Sequence, residues 1–243
     1  MKLLKKAIAC ITLIIGSYSK SEGQFLAAPK QLVSQNQVFL NVGLEPEMVT
    51  TIGFAHLIGK EGKAFDIHLG GSLKLAPLLI TKGAWRANFI SFANWKMNEH
   101  WRSVLTSNIY LAHDHNRAGT MDGLGFELRA TPAYYGKKWA KGFDAGWQYT
   151  LLTHIKHSEE AKKTFDERYP ISTNGVQGPK NGWYALTASR FRVGLTGATS
   201  ISNSVTLQFA GGSVFSIQKQ GILVGFAHAQ VPVYIDVSLR YNW

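Results

Sequence analysis

His154, His157 and Ser158 fall within one short stretch, "THIKHSEEAKKTF". Together they could hydrolyse an ester, because a serine hydroxyl becomes nucleophilic when a base lies within hydrogen-bond reach. Local geometry decides whether they can meet. In an extended strand the adjacent His157 and Ser158 point to opposite faces, whereas in a short helix His154 and Ser158 would share one. A second pair, His113 and His115 in "AHDHNR", would aim both rings the same way from an extended segment and could hold a divalent metal with a third ligand. The spacing supplies no third ligand, so the expectation is solvated polarity where a strand becomes a loop, with no metal and no cofactor.

A larger polar set is spread along the whole chain. Its acids are Glu45, Asp66, Glu127, Asp144 and Asp236, and its bases are Arg86, Arg129, Arg190, Arg192 and Arg240. Each is an inward candidate in a segment where apolar and polar residues alternate. Enclosed charges must be paired or hydrated, because an isolated buried ion is costly. The set can therefore form a salt-bridged plug, or it can line a selective polar channel or small-ligand site. On the plug reading, Arg190 or Arg192 pairs with Asp144 or Glu127.

The elements that would position these residues are strands, since period-two alternation dominates and period 3.6 is scarce. In "GFDAGWQYTLL", Phe143, Ala145, Trp147, Tyr149 and Leu151 share one face, and Asp144, Gly146, Gln148 and Thr150 the other. The last residues repeat the pattern, with Ile235, Val237, Leu239, Tyr241 and Trp243 on an apolar face. Ten candidate strands emerge, at 36–45, 49–58, 64–72, 84–94, 101–112, 123–134, 142–153, 183–195, 203–217 and 231–243. Eight or twelve would also suit the pattern. After the first connector, short and long connectors alternate, which is the rhythm of an up-and-down membrane barrel. Trp95, Trp101 and Trp243 fall at one end of their strands and Trp85 and Trp183 at the other, as two interfacial girdles would require.

The N-terminal stretch opens with Lys2, Lys5 and Lys6, runs apolar from Ala7 to about Gly16, and then turns small and polar. That is the layout of a secretory signal peptide, read here as residues 1–23 with the mature domain at 24–243. The only cysteine, Cys10, lies inside the apolar stretch, where lipoprotein acylation does not occur. Formal net charge is +11 over 243 residues, and the basic residues cluster in short connectors such as "GKKWAKG". An exported chain with that distribution is not read as a nucleic-acid binder. No phosphate loop or dinucleotide fingerprint occurs.

The signal peptide, the alternating strands and the closing "YIDVSLRYNW" resemble the bacterial outer-membrane β-barrel proteins, a likeness of architecture across the mature chain. The resemblance implies an all-β fold: a single up-and-down antiparallel transmembrane barrel of about ten strands in a Gram-negative outer membrane. It implies as partners outer-membrane lipid, lipopolysaccharide and the assembly machinery that reads a terminal aromatic, here Trp243 in place of the commoner phenylalanine. The connector 154–182 is expected to face outward and meet an unidentified extracellular partner. The implied function is a structural, binding or small-solute transport barrel with a narrow salt-bridged lumen. The alternative is a lipid hydrolase similar to the outer-membrane lipid A deacylases or phospholipases, although the deacylases' His-x-Ser spacing is absent.

Overall fold

A segment such as "VYIDVSLRYN" has one apolar and one polar face, so it is stable only where a sheet separates two environments. The described residues contain ten strands. They are β1 (Asn36–Glu45), β2 (Glu47–Leu57), β3 (Phe65–Leu75), β4 (Trp85–Lys96), β5 (Trp101–Asn116), β6 (Gly119–Tyr135), β7 (Trp139–His157), β8 (Gly182–Ser200), β9 (Val205–Gln218) and β10 (Val233–Asn242). One helix, α1 (Glu159–Arg168), follows β7. This computed structural model describes residues 36–45, 47–58, 65–75, 84–116, 119–168, 180–218 and 233–243; the signal-peptide reading of 1–23 lies outside them.

Every strand pairs antiparallel with its sequence neighbours, and β10 pairs with β1 from Gln37 opposite Asn242 to Leu44 opposite Ile235. Asn36 and Trp243 complete the seam with two backbone bonds of 3.1 and 3.2 Å. The sheet is thus a closed ten-stranded up-and-down barrel. Closure satisfies both edges of every strand, which hydrocarbon demands because it offers no hydrogen-bonding partner.

The distribution of polarity is inverted relative to a barrel in water. Ile109, Phe143 and Leu195 are 60, 61 and 63% exposed on the outer wall, while Asn41, Glu127 and Asp144 are at most 1% exposed inside. Trp95, Trp101, Trp139 and Trp243 stand on the outer wall at the end where β1 begins and β10 finishes, called the terminus end below, and Trp85 and Trp183 towards the other end. The interior also holds apolar packing, including a cluster of Phe39, Ala55, Ile90, Phe92 and Val104. Ile90 and Phe92 account for the two-faced apolar character of β4.

Strand boundaries differ from the sequence expectation mainly in β5 to β8, which run longer. His113 and His115 lie inside β5, and only residues 117 and 118 connect it to β6. The expected long connector is absent there, so short and long connectors do not alternate strictly. The physical reason is that a barrel wall beyond the hydrocarbon is free to be polar on both faces, which removes the alternation from which a boundary is read. Between β4 and β5 the turn is side-chain supported: Asn98 Oδ1 accepts from the backbone N–H of His100 and Trp101 at 2.9 and 2.8 Å. Pro132 sits near the terminus end of β6, where the β6–β7 ladder omits Thr131 and Pro132. Leu151 is a bulge: Leu152 pairs with Leu124 and Thr150 with Gly125.

Candidate functional site: a charge chain across the interior

The polar phase of six strands converges inside the barrel. Arg86 on β4 donates from Nη2 to Glu127 Oε2 on β6 at 3.1 Å. Arg129, two residues along the same strand, reaches Glu127 Oε1 at 3.6 Å and Asp144 Oδ2 on β7 at 3.3 Å. Arg192 on β8 then donates from Nε to Asp144 Oδ2 at 3.1 Å and from Nη2 to Asp236 Oδ2 on β10 at 2.9 Å. The result is an alternating series, Arg86, Glu127, Arg129, Asp144, Arg192, Asp236. Each charge stands beside the opposite sign, so the cost of enclosing it is offset by its neighbours.

Aromatic rings support both ends of the series. The Arg86 guanidinium lies 3.8 Å from the centroid of Tyr110, and Arg192 lies 3.9 Å from that of Tyr234. Tyr234 Oη donates to Asp144 Oδ2 at 2.9 Å. Tyr110 Oη is 2.8 Å from Thr150 Oγ1 and accepts from Gln148 Nε2 at 3.2 Å. Asn108 Nδ2 and Thr131 Oγ1 add longer bonds to Glu127 and Asp144, at 3.4 Å each.

Glycine makes room for this arrangement. A Cβ at Gly125 would stand 2.3 Å from Tyr110 Oη, and one at Gly194 would stand 2.3 Å from Tyr234 Oη. Each tyrosine therefore occupies a recess in the neighbouring wall: Tyr110 faces its register partner Gly125, and Tyr234 crosses Gly212 to reach Gly194. Gly146 lies between the two central arginines, with a virtual Cβ 2.9 Å from Cγ of both Arg129 and Arg192. These glycines carry no chemistry, yet they let the long side chains converge on Asp144.

Other candidate residues sit elsewhere. Asp66 and Arg240 are buried on the inner wall, 2 and 1% exposed, nearer the terminus end. Arg190 does not pair with Asp144 or Glu127 in the structure: it is two residues nearer the opposite mouth than Arg192 and donates from Nε to Ser216 Oγ at 3.3 Å. The Glu45 side chain lies outside the described residues. Tyr110, Tyr234, Asn108 and Gln148 were not singled out from sequence. Their signal was an aromatic or amide in the polar phase of a strand.

The hydroxyl and imidazoles of the hydrolase reading are directed to separate tasks. Ser158 Oγ accepts from Ala161 N–H at 3.1 Å, capping α1, whose first turn carries Glu159 and Glu160. His157 is buried at 3% exposure with the inner-facing residues of β7, whereas His154 faces outward against Trp183, with ring centroids 4.9 Å apart. The helix begins only at Glu159, so the helical face that His154 and Ser158 would have shared is not formed. His113 and His115 do share the outer face of β5, and His113 Nδ1 donates to Asp122 Oδ1 at 2.7 Å. Among the described residues no three potential ligands form a metal cluster.

No family model matches the chain, and no curated protein sequence matches it. Solved structures do resemble it. The KdgM porin in complex with disordered oligogalacturonate is 9% identical, with 85% of this chain and 99% of that chain covered at a TM-score of 0.41. The NanC porin is 5% identical over 86% of this chain and 100% of its own, also at 0.41. The β domain of the Bordetella autotransporter BrkA is 13% identical over 86 and 98%, at 0.36.

Proposed function

We propose that the chain is an integral outer-membrane protein whose interior is closed partway along its axis by the charge chain, and that it serves as a structural and binding barrel passing at most small solutes. The apolar outer wall and the closed ladder support residence in a bilayer. The observation that carries the closed interior is burial. Glu127 and Asp144 are 1% exposed, Asp236 2%, Arg129 5%, Arg192 6% and Arg86 7%. A residue lining a water-filled passage would present surface to that water; these six are packed against one another and against Tyr110 and Tyr234.

Single-channel recording in a planar bilayer tests this. The unmodified protein should show little or no steady conductance. Arg192→Ala, which removes the link between Asp144 and Asp236, should raise it. A large steady conductance from the unmodified protein would overturn the closed interior.

A further inference from the structure

On β5, β6 and β7 the outer wall changes from apolar to polar along a single register row. Leu111, Leu124 and Leu152 stand side by side, 55, 37 and 38% exposed. One step further from the termini, His113 is opposite Asp122, which is opposite His154. One step beyond that, His115 is opposite Thr120, which is opposite Lys156. Trp85 stacks on His113 at 6.2 Å and Trp183 leans on His154 at 4.9 Å, so indoles bracket the first polar row. Indoles favour the headgroup level of a bilayer.

Resting on the outer-membrane reading above, we propose that His115, Thr120, His154 and Lys156, grouped around the His113–Asp122 pair, bind the phosphate of an outer-leaflet lipid headgroup. The leucine row beneath supplies the surface on which that lipid's acyl chains lie. His115 and His154 each keep at least one N–H donor in either charge state, Lys156 adds an ammonium, and Thr120 adds a hydroxyl. The one acid, Asp122, already accepts from His113 Nδ1. Many donors facing one engaged carboxylate suit an anion with several acceptor oxygens and suit a quaternary ammonium poorly.

The test uses the folded full barrel in neutral detergent micelles, titrated with phosphatidic acid and followed by native mass spectrometry. Diacylglycerol, which has the acyl chains and no phosphate, and inorganic phosphate form separate arms. Phosphatidic acid should bind saturably, diacylglycerol should not, and inorganic phosphate should not displace the bound lipid. The double variant His154→Gln, Lys156→Gln should lose affinity about tenfold or more, the scale of a lost charge-assisted hydrogen bond. Lys163→Gln on α1 should change nothing. Unchanged affinity in the double variant, or equal binding of diacylglycerol, would overturn the site. Displacement by inorganic phosphate at matching concentration would overturn the lipid as its source. Gel mobility of unboiled samples shows whether each variant keeps the barrel, which separates failure of this site from failure of the barrel itself. If the double variant loses the folded band, the exposed His115→Gln carries the same test.

Discussion

Arg192 and Tyr234 grip the same carboxylate from two sides. The guanidinium lies 3.9 Å over the Tyr234 ring, while Arg192 Nε and Tyr234 Oη both donate to Asp144 Oδ2, at 3.1 and 2.9 Å. Removing either member should therefore have unequal effects. Arg192→Ala leaves Asp144 and Asp236 short of a cation, a loss of about 3–5 kcal/mol. Tyr234→Phe keeps the ring and removes one bond to a charged acceptor, a loss of about 1.5–3 kcal/mol. Urea unfolding in lipid vesicles should rank them in that order; equal midpoints would contradict it.

The tyrosine recesses make a steric prediction. Gly194→Ala places a methyl 2.3 Å from Tyr234 Oη and 2.4 Å from the Gly211 carbonyl oxygen. Overpacking of this kind costs about 1–3 kcal/mol. Gly71→Ala meets only Asn88 O at 3.4 Å on the outer wall and should be nearly neutral. Thermal loss of the fast-migrating gel band should separate the two variants clearly.

How much of this was legible beforehand follows from what alternation encodes. Period two gives the face of a residue, and the inward placement of Asp144, Glu127 and Arg192 was readable from it. It does not give height within the barrel. Arg190 shares the face of Arg192 but lies one step nearer the far mouth, and that step exchanges Asp144 for Ser216 as its partner. The upper ends of β5 and β6 were hidden for a different reason. His113 to Asn116 are polar on both faces and Gly119 to Asp122 hold a single apolar residue, Met121, which reads as loop in a sequence and nevertheless pairs as a ladder.

The seam between the first and last strands should control assembly. Deleting Tyr241 to Trp243 removes the pairs of Tyr241 with Val38 and Asn242 with Gln37, together with both Asn36–Trp243 backbone bonds. Backbone groups of β1 would then face lipid unsatisfied. The truncated protein should fail to give a folded band in membrane fractions; wild-type levels would refute the claim.

The outer wall offers a depth test. Leu128→Arg, at a 48% exposed mid-strand position, should cost about 2–4 kcal/mol, whereas His115→Arg, beyond the apolar rows of the same sheet, should cost about 1 kcal/mol or less. Equal unfolding midpoints in vesicles would argue against a bilayer boundary between them.

Ser158→Ala removes the cap of α1, worth about 1 kcal/mol to a helix. Limited proteolysis of intact cells should cut within 159–168 faster in the variant, with barrel melting unchanged. A slower cut, or a destabilised barrel, would place Ser158 in some other role.

The extra residue at Leu151 has a consequence for any position-by-position survey of β7. Below it the even-numbered Asp144, Gln148 and Thr150 are enclosed; above it the odd-numbered Thr153, Ile155 and His157 are. Tolerance of substitutions along this strand should therefore oscillate with one missed beat, two neighbouring leucines behaving alike where every other adjacent pair behaves oppositely. Deleting Leu151 would remove that beat and nothing else: Thr150 in, Leu152 out and Thr153 in would then follow one unbroken alternation, with His154 and Lys156 still on the outer wall and Ile155 still enclosed.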